Sequence, residues 1–195
     1  MQSKHRYICV YGASSNDIPS TYIEAAYSLG KALAERQWQC INGAGSAGVM
    51  RAVSDGFLDH GAEAVGIIPQ FMVDNGWHYS RLTRLEITPD MHSRKEMMAN
   101  MCECAIAMPG GCGTLEELLE IITWRQLKIF NKPLIILNID GFYDPLIAML
   151  QRCIEQHFMR PTHTKLWYVA HSVEQAVDYI DNYDEQNPLI IENKY

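Results

Sequence analysis

Short apolar, β-rich runs alternate along this chain with helical stretches, and three of the strand-like runs end in turns rich in glycine and serine. That alternation is the mark of a parallel sheet covered by helices on both faces, because successive parallel strands need a long crossover between them. The pattern predicts an α/β, Rossmann-like doubly wound fold. Residues 7–11 read as the first strand. A helix is expected over 20–36, with Ser20 as N-cap and Ile23, Ala26, Tyr27, Gly30, Leu33 and Ala34 at helical spacing. Further strands are expected at 39–42, 64–68, 104–108 and 134–137, with a last extended piece at 166–169, and helices at 49–60, 91–101, 115–130, 145–157 and 173–183. Pro69 stops the third strand. Residues 70–89, with Gly76, Trp77 and His78 near their centre, follow neither period and read as a long irregular loop, a kind of segment that commonly serves a ligand or a partner.

With 195 residues, 48% of them apolar and 10% aromatic, the chain can bury one substantial core. No repeat, low-complexity tract or linker divides it, so a single domain over 1–195 is expected, with a frayed tail after residue 184. A net charge of −7 argues against a protein that coats nucleic acid, since binding to the phosphate backbone calls for an excess of Lys and Arg. No apolar run approaches the roughly 20 residues of a membrane span, and residues 1–7 are polar, which points to the cytoplasm. Cys9, Cys40, Cys102, Cys104, Cys112 and Cys153 lack the spacing of a disulfide framework or a zinc knuckle. Reduced thiols and no metal site are the expectation.

The chemistry is concentrated in the glycine-rich turns. In open α/β sheets, ligands bind outside the carboxyl ends of the strands, where these turns gather. The first turn is Tyr11-Gly-Ala-Ser-Ser15 and the second Asn42-Gly-Ala-Gly-Ser-Ala-Gly-Val-Met50. Backbone amides there can hold an anion, which makes Gly12, Ser14, Ser15, Gly45 and Ser46 candidate contacts, although such turns also occur for tight packing alone. The third, Pro109-Gly-Gly-Cys-Gly-Thr114, is the most specific. Gly110, Gly111 and Gly113 free the backbone to wrap a phosphate, Thr114 adds a hydroxyl, and the following helix points its positive end at the anion. Glu117 is expected in the first turn of that helix, where it is either a reacting carboxylate or a complement to the helix dipole. Met91-His-Ser-Arg-Lys95 opens the preceding helix. Two cations so near a helix start are unfavourable for the dipole, so Arg94 and Lys95 are either drawn there by a ligand or are solvated surface charges.

At these residues the sequence resembles the Lonely Guy (LOG) family of cytokinin riboside 5′-monophosphate phosphoribohydrolases. That family carries Pro-Gly-Gly-x-Gly-Thr-x-x-Glu, here Pro109 to Glu117, preceded by Met-His-x-Arg-Lys, here Met91 to Lys95. The likeness extends to Gly12 to Ser15, Gly43 to Met50, Thr123-Trp124-x-Gln126-Leu127 and Lys132-Pro133. It implies Arg94 and Glu117 as the catalytic pair. Met91, Lys95, Gly110, Gly111, Gly113, Thr114, Glu116 and Thr123 would then line the nucleotide. It further implies a homodimer with sites near the subunit contact, and no metal or organic cofactor. Members often carry a lysine decarboxylase label, but no pyridoxal-binding feature is evident here. The chain departs from plant members at Cys112, where they are commonly aromatic, and at Asp74-Asn-Gly-Trp-His78, where they carry a Glu-Leu-Thr-Gly-Glu type of stretch. The base is therefore left open between adenine and N6-substituted adenine.

Cleavage of a ribosyl–base bond passes through an oxocarbenium-like sugar. Glu117 suits stabilisation of that cation, and Arg94, always charged, suits the departing base. The rival expectation is a non-catalytic nucleotide binder or a molybdenum-cofactor carrier on the same scaffold. A pure phosphate carrier, however, has no need of a carboxylate beside its anion site.

Overall fold

Seven strands form one parallel sheet in the computed structural model, which describes residues 6–183. The expected frayed tail lies outside the described residues. The strands are β1 (Arg6–Tyr11), β2 (Trp38–Asn42), β3 (Ala64–Pro69), β4 (Arg84–Thr88), β5 (Cys104–Ala107), β6 (Leu134–Leu137) and β7 (Tyr168–Ala170). Their order across the sheet is β4-β3-β2-β1-β5-β6-β7, and every neighbouring pair is parallel. The chain thus winds outward from β1 to the β4 edge and returns to the other side of β1. The gap between the carboxyl ends of β1 and β5 is the topological switch point, where open sheets of this kind bind ligands.

The helices are α1 (Ser20–Ala34), α2 (Gly48–Leu58), the short α3 (Gln70–Asp74), α4 (Met91–Met101), α5 (Cys112–Gln126), α6 (Asp144–Glu155) and α7 (Val173–Asp181). Side chains alternate across each strand, so the sheet feeds two separate cores. Ile8 and Val10 of β1 pack with Leu29 and Leu33 of α1, Val53 and Phe57 of α2, and Val177 of α7. Cys9 and Tyr11 of the same strand face the other way, against Met98 of α4 and Leu118, Ile121 and Ile122 of α5. Each such fully buried aliphatic side chain contributes about 1.5–3 kcal/mol of transfer free energy. Helices α1 and α2 cross at Gly30 and Gly56. A Cβ on Gly30 would stand 2.4 Å from the Val53 carbonyl oxygen, and one on Gly56 2.3 Å from that of Tyr27, so the two backbones approach closely only because both side chains are absent. Among the described residues no helix is long and apolar enough to cross a membrane.

Four expectations need correction. Helix α1 starts at Ser20, but its N-cap is Pro19 and no side chain caps it. The segment 70–89 is not one loop, since it holds α3 and the edge strand β4. Helix α5 begins at Cys112, three residues earlier than its apolar pattern suggested, which places Glu117 in the second turn. The last strand is Tyr168–Ala170, preceded by a 3-10 turn over Pro161–Leu166.

Candidate active site

The three glycine-rich turns meet at the switch point and are tied together through their backbones. The amide of Ala13 donates to the carbonyl of Pro109 at 3.2 Å, that of Met50 to Ala13 at 3.1 Å, and that of Met108 to Tyr11 at 2.9 Å. The second turn is shaped by Asn42, a buried side chain whose Oδ1 accepts from the amide of Ala44 at 2.9 Å and whose Nδ2 donates to Ser54 Oγ at 2.8 Å. That grip holds Ala44 at φ 65°, a left-handed conformation seldom taken by a residue with a side chain. From the far side, the Tyr143 hydroxyl donates to the Met108 carbonyl at 2.7 Å and so fixes the end of β5. Burial, with some help from the Glu117 charge, pushes the Tyr143 pKa up and keeps it a donor.

Between the turns lies a cavity of about 490 Å³. Gly12, Ser14, Gly45, Ser46, Gly111, Gly113 and Thr114, all drawn from the glycine-rich turns, line it. No side chain caps α5. Gly110 lies beneath Thr114, where a Cβ would come within 2.2 Å of the threonine hydroxyl. Its part is therefore to let the turn close rather than to face the cavity.

Arg94 and Glu117 also line the cavity, and they form its electrostatic centre. Arg94 Nη2 lies 3.1 Å from Glu117 Oε1, with side chains only 8% and 9% exposed. The guanidinium is held in place by Nε, which donates to the Ile67 carbonyl at the end of β3 at 3.1 Å. Asp90 caps α4 by accepting from the Ser93 amide at 2.8 Å, which supplies the negative charge that a helix start with two following cations requires. Burial pushes the Glu117 carboxyl above the usual glutamate value, because it outweighs the opposing pull of Arg94, while Glu116 adds a further upward push.

A family model described as "Possible lysine decarboxylase" matches residues 50–180. The chain is 35% identical over 191 residues to a probable cytokinin riboside 5′-monophosphate phosphoribohydrolase, LOGL2 of Oryza sativa subsp. japonica, covering 98% of this chain and 78% of that one. It is 38% identical over 182 residues to the cytokinin riboside 5′-monophosphate phosphoribohydrolase LOG3 of Arabidopsis thaliana, covering 93% and 85%. The chain belongs to the LOG family. Among solved structures, a molybdenum cofactor binding protein from Rippkaea orientalis shares the fold of this LOG-family chain at a TM-score of 0.72 and 22% identity, covering 92% of this chain and 98% of that one. The molybdenum cofactor carrier protein of Chlamydomonas reinhardtii does so at 0.69 and 21%, covering 91% and 97%. At those identities the likeness is one of fold alone.

Four of the candidate ligand contacts do not line the cavity of this LOG-family chain. Gly110 is packed as described above. Ser15 is exposed, and its Oγ accepts from the Asp17 amide at 3.2 Å. Lys95 is buried beside the cavity rather than in its wall, bonded to Glu116 and, at 3.1 Å, to Glu120. Burial alone would pull the Lys95 ammonium down, yet the two carboxylates outweigh it and hold it above the ordinary lysine value. Thr123 stands on an exposed face of α5, its hydroxyl donating to Leu119 O at 2.9 Å. Met91 and Glu116 do line the cavity. The wall also contains Ala13, Gly43, Met50, Met72, Gly76 and Trp77, which sequence reasoning did not single out as contacts. Gly43 and Met50 were within reach, inside the second glycine-rich turn.

Proposed function

We propose that this LOG-family chain hydrolyses the N-glycosidic bond of purine nucleoside 5′-monophosphates whose base is adenine or N6-substituted adenine. The products are the free base and ribose 5-phosphate. The observation that carries this reading is the buried Arg94–Glu117 pair in the wall of the same cavity as the anion cradle. Phosphate binding alone gives no reason to bury a carboxylate there. In the reaction the C1′–N9 bond breaks with its electron pair going to the base, water oxygen bonds to C1′, and a proton originating from water ends on the base. Glu117 stabilises the ribosyl cation and orients the water, Arg94 offsets charge on the departing base, and the glycine turns hold the phosphate.

Nucleoside 5′-monophosphates are expected to turn over far better than nucleosides, because phosphate binding supplies the energy that positions the sugar. Purified protein incubated with AMP, N6-isopentenyl-AMP, GMP, CMP and adenosine, with base and ribose 5-phosphate separated by chromatography, checks this. Equal turnover of adenosine and AMP overturns the role of the cradle. AMP binding with no base released from any nucleotide favours a carrier.

The same reading includes a homodimer. Helix α5, which carries Glu117, and the turn that follows it leave Leu119, Leu127 and Ile129 exposed. Thr123 is exposed on the same helix, one turn from Leu119, where a neighbouring copy could bring it to a nucleotide. Light scattering at micromolar concentration is expected to give a dimer, and a fully active monomer contradicts it. Buried free thiols at Cys9, Cys40, Cys102 and Cys104 fit a reducing compartment, which supports residence in the cytoplasm.

A further inference from the structure

One part of the cavity wall is used neither by the phosphate cradle nor by the ion pair. Met50, Met72, Met91 and Trp77 give it an apolar, polarisable side. Trp77 is 53% exposed, a large apolar surface left in solvent beside a cavity.

Its position is built rather than incidental. Helix α3 lasts five residues and ends at a sharp stop, with Asn75 as C-cap and Gly76 at φ 70°. The Gly76 amide donates to the Val73 carbonyl at 2.8 Å and the Trp77 amide to the Met72 carbonyl at 3.1 Å. These are the two hydrogen bonds of a Schellman stop, in which Met72 and Trp77 hold the C3 and C″ positions, where an apolar pair is common, and both side chains line the cavity. Directly after Trp77 the chain is fastened to the second glycine-rich turn. His78 pairs with Gly45 in an antiparallel bridge, and the Tyr79 amide donates to the Ala44 carbonyl at 2.9 Å. The Tyr79 hydroxyl then donates to Asp55 Oδ1 at 2.6 Å on α2. Trp77 is therefore clamped between a helix stop on one side and the turn that carries Gly45 and Ser46 on the other.

From this we infer that Trp77 is the base-stacking residue of the site, its indole lying on the purine with Met72 behind it. An aromatic side chain on a backbone fastened beside the glycine-rich turns and the ion pair can read a flat π-face, and it favours the larger purine over a pyrimidine through greater overlap. The contact ignores the hydrogen-bonding edge of the base, so it tolerates substitution at N6. This inference rests on the nucleotide reading above and adds to it the element that selects the base. The segment 70–79 then contributes a recognition wall through Met72, Gly76 and Trp77, the three of its residues that line the cavity.

The test compares wild type with Trp77→Ala and Trp77→Phe, using calorimetric binding of AMP and of ribose 5-phosphate, which keeps the sugar and phosphate and lacks the base. Steady-state kinetics on AMP accompany it. Trp77→Ala is expected to weaken AMP binding and raise KM about tenfold, with kcat and ribose 5-phosphate affinity within about twofold of wild type, and Trp77→Phe to recover most of the loss. Unchanged AMP affinity in Trp77→Ala overturns the inference. So does an equal loss for AMP and ribose 5-phosphate, which marks a general disturbance of the cavity. The two readings fail distinguishably. If wild type binds AMP without cleaving it, hydrolysis falls and the binding series still decides Trp77; if wild type binds no nucleotide, both fall.

Discussion

Glu117→Gln is expected to lower kcat for AMP hydrolysis by about a hundredfold or more while leaving AMP affinity within a few-fold. Glutamine keeps the shape of the side chain and an acceptor for Arg94 Nη2, now 3.1 Å from the carboxylate, but removes the charge that a ribosyl cation needs. The pH dependence makes the assignment sharper. Burial holds the Glu117 carboxyl above its ordinary 4.5, so the acid limb of kcat in the wild type is expected above that value and is absent from the residual activity of the variant. The same shift bears on stability. A carboxyl that binds its proton more readily folded than unfolded contributes stability that is full below the unfolded value, near 4.5, and is lost as pH rises through the folded value. The melting temperature of Glu117→Gln relative to wild type is therefore expected to rise with pH across that window. A protein that accepts this loss at neutral pH keeps a charged carboxylate where the chemistry uses it. Base release at the wild-type rate by Glu117→Gln defeats the catalytic assignment and leaves the carboxylate a structural partner of Arg94.

Most of the fold was legible because the parallel strands are buried on both faces and read as uninterrupted apolar runs, Leu134-Ile-Ile-Leu137 above all. Strand β4 was not, for the opposite reason. It lies at the sheet edge with Arg84 and Glu86 paired at 2.8 Å and only Thr88 buried, so Arg-Leu-Glu-Ile-Thr carries no such run. Helix α3 escaped notice because it is five residues long and buries none of them. The cradle could be read from glycines at strand ends, since backbone chemistry is local. The joining of Arg94 to Glu117 could not, because those residues sit on different helices with β5 between them, and only resemblance paired them. Thr123 is placed where spacing alone would not put a partner of Glu117. Six positions after Glu117 on α5, it is turned by about 240° around the helix and cannot share a wall with it in one protomer. Trp77 was visible as an odd residue in an aperiodic stretch, but its place in the site depends on the Gly45–His78 bridge, a contact between segments that no spacing announces.

Gly43→Ala is expected to be as damaging to turnover as the loss of the carboxylate, although it replaces neither Arg94 nor Glu117. A Cβ at position 43 would stand 2.0 Å from Arg94 Nη2 and 3.1 Å from its Cζ, and 3.3 Å from Met50 Sδ. The end of a long side chain yields more easily than backbone, so the fold is expected to survive with its melting temperature little changed. Nη2, however, is the atom that faces Glu117, and Nε is anchored to the Ile67 carbonyl, so the guanidinium cannot retreat without breaking one contact or the other. A misplacement of about 1 Å in a group that acts on the transition state can cost on the order of a hundredfold, and a loss of that size in kcat is expected here. With the cation displaced, the pull that opposes burial at Glu117 weakens, and the acid limb of the variant is expected to move to higher pH than in wild type. Gly111→Ala provides the contrast, because a Cβ there meets nothing within 4 Å and the Arg94–Glu117 pair stays intact. Its methyl group enters the cradle instead, so the loss is expected in KM. Steady-state kinetics of both variants across pH, with thermal melts, separate the two effects. Wild-type kcat in Gly43→Ala would show that the placement of the Arg94 guanidinium against Glu117 is not required for the reaction.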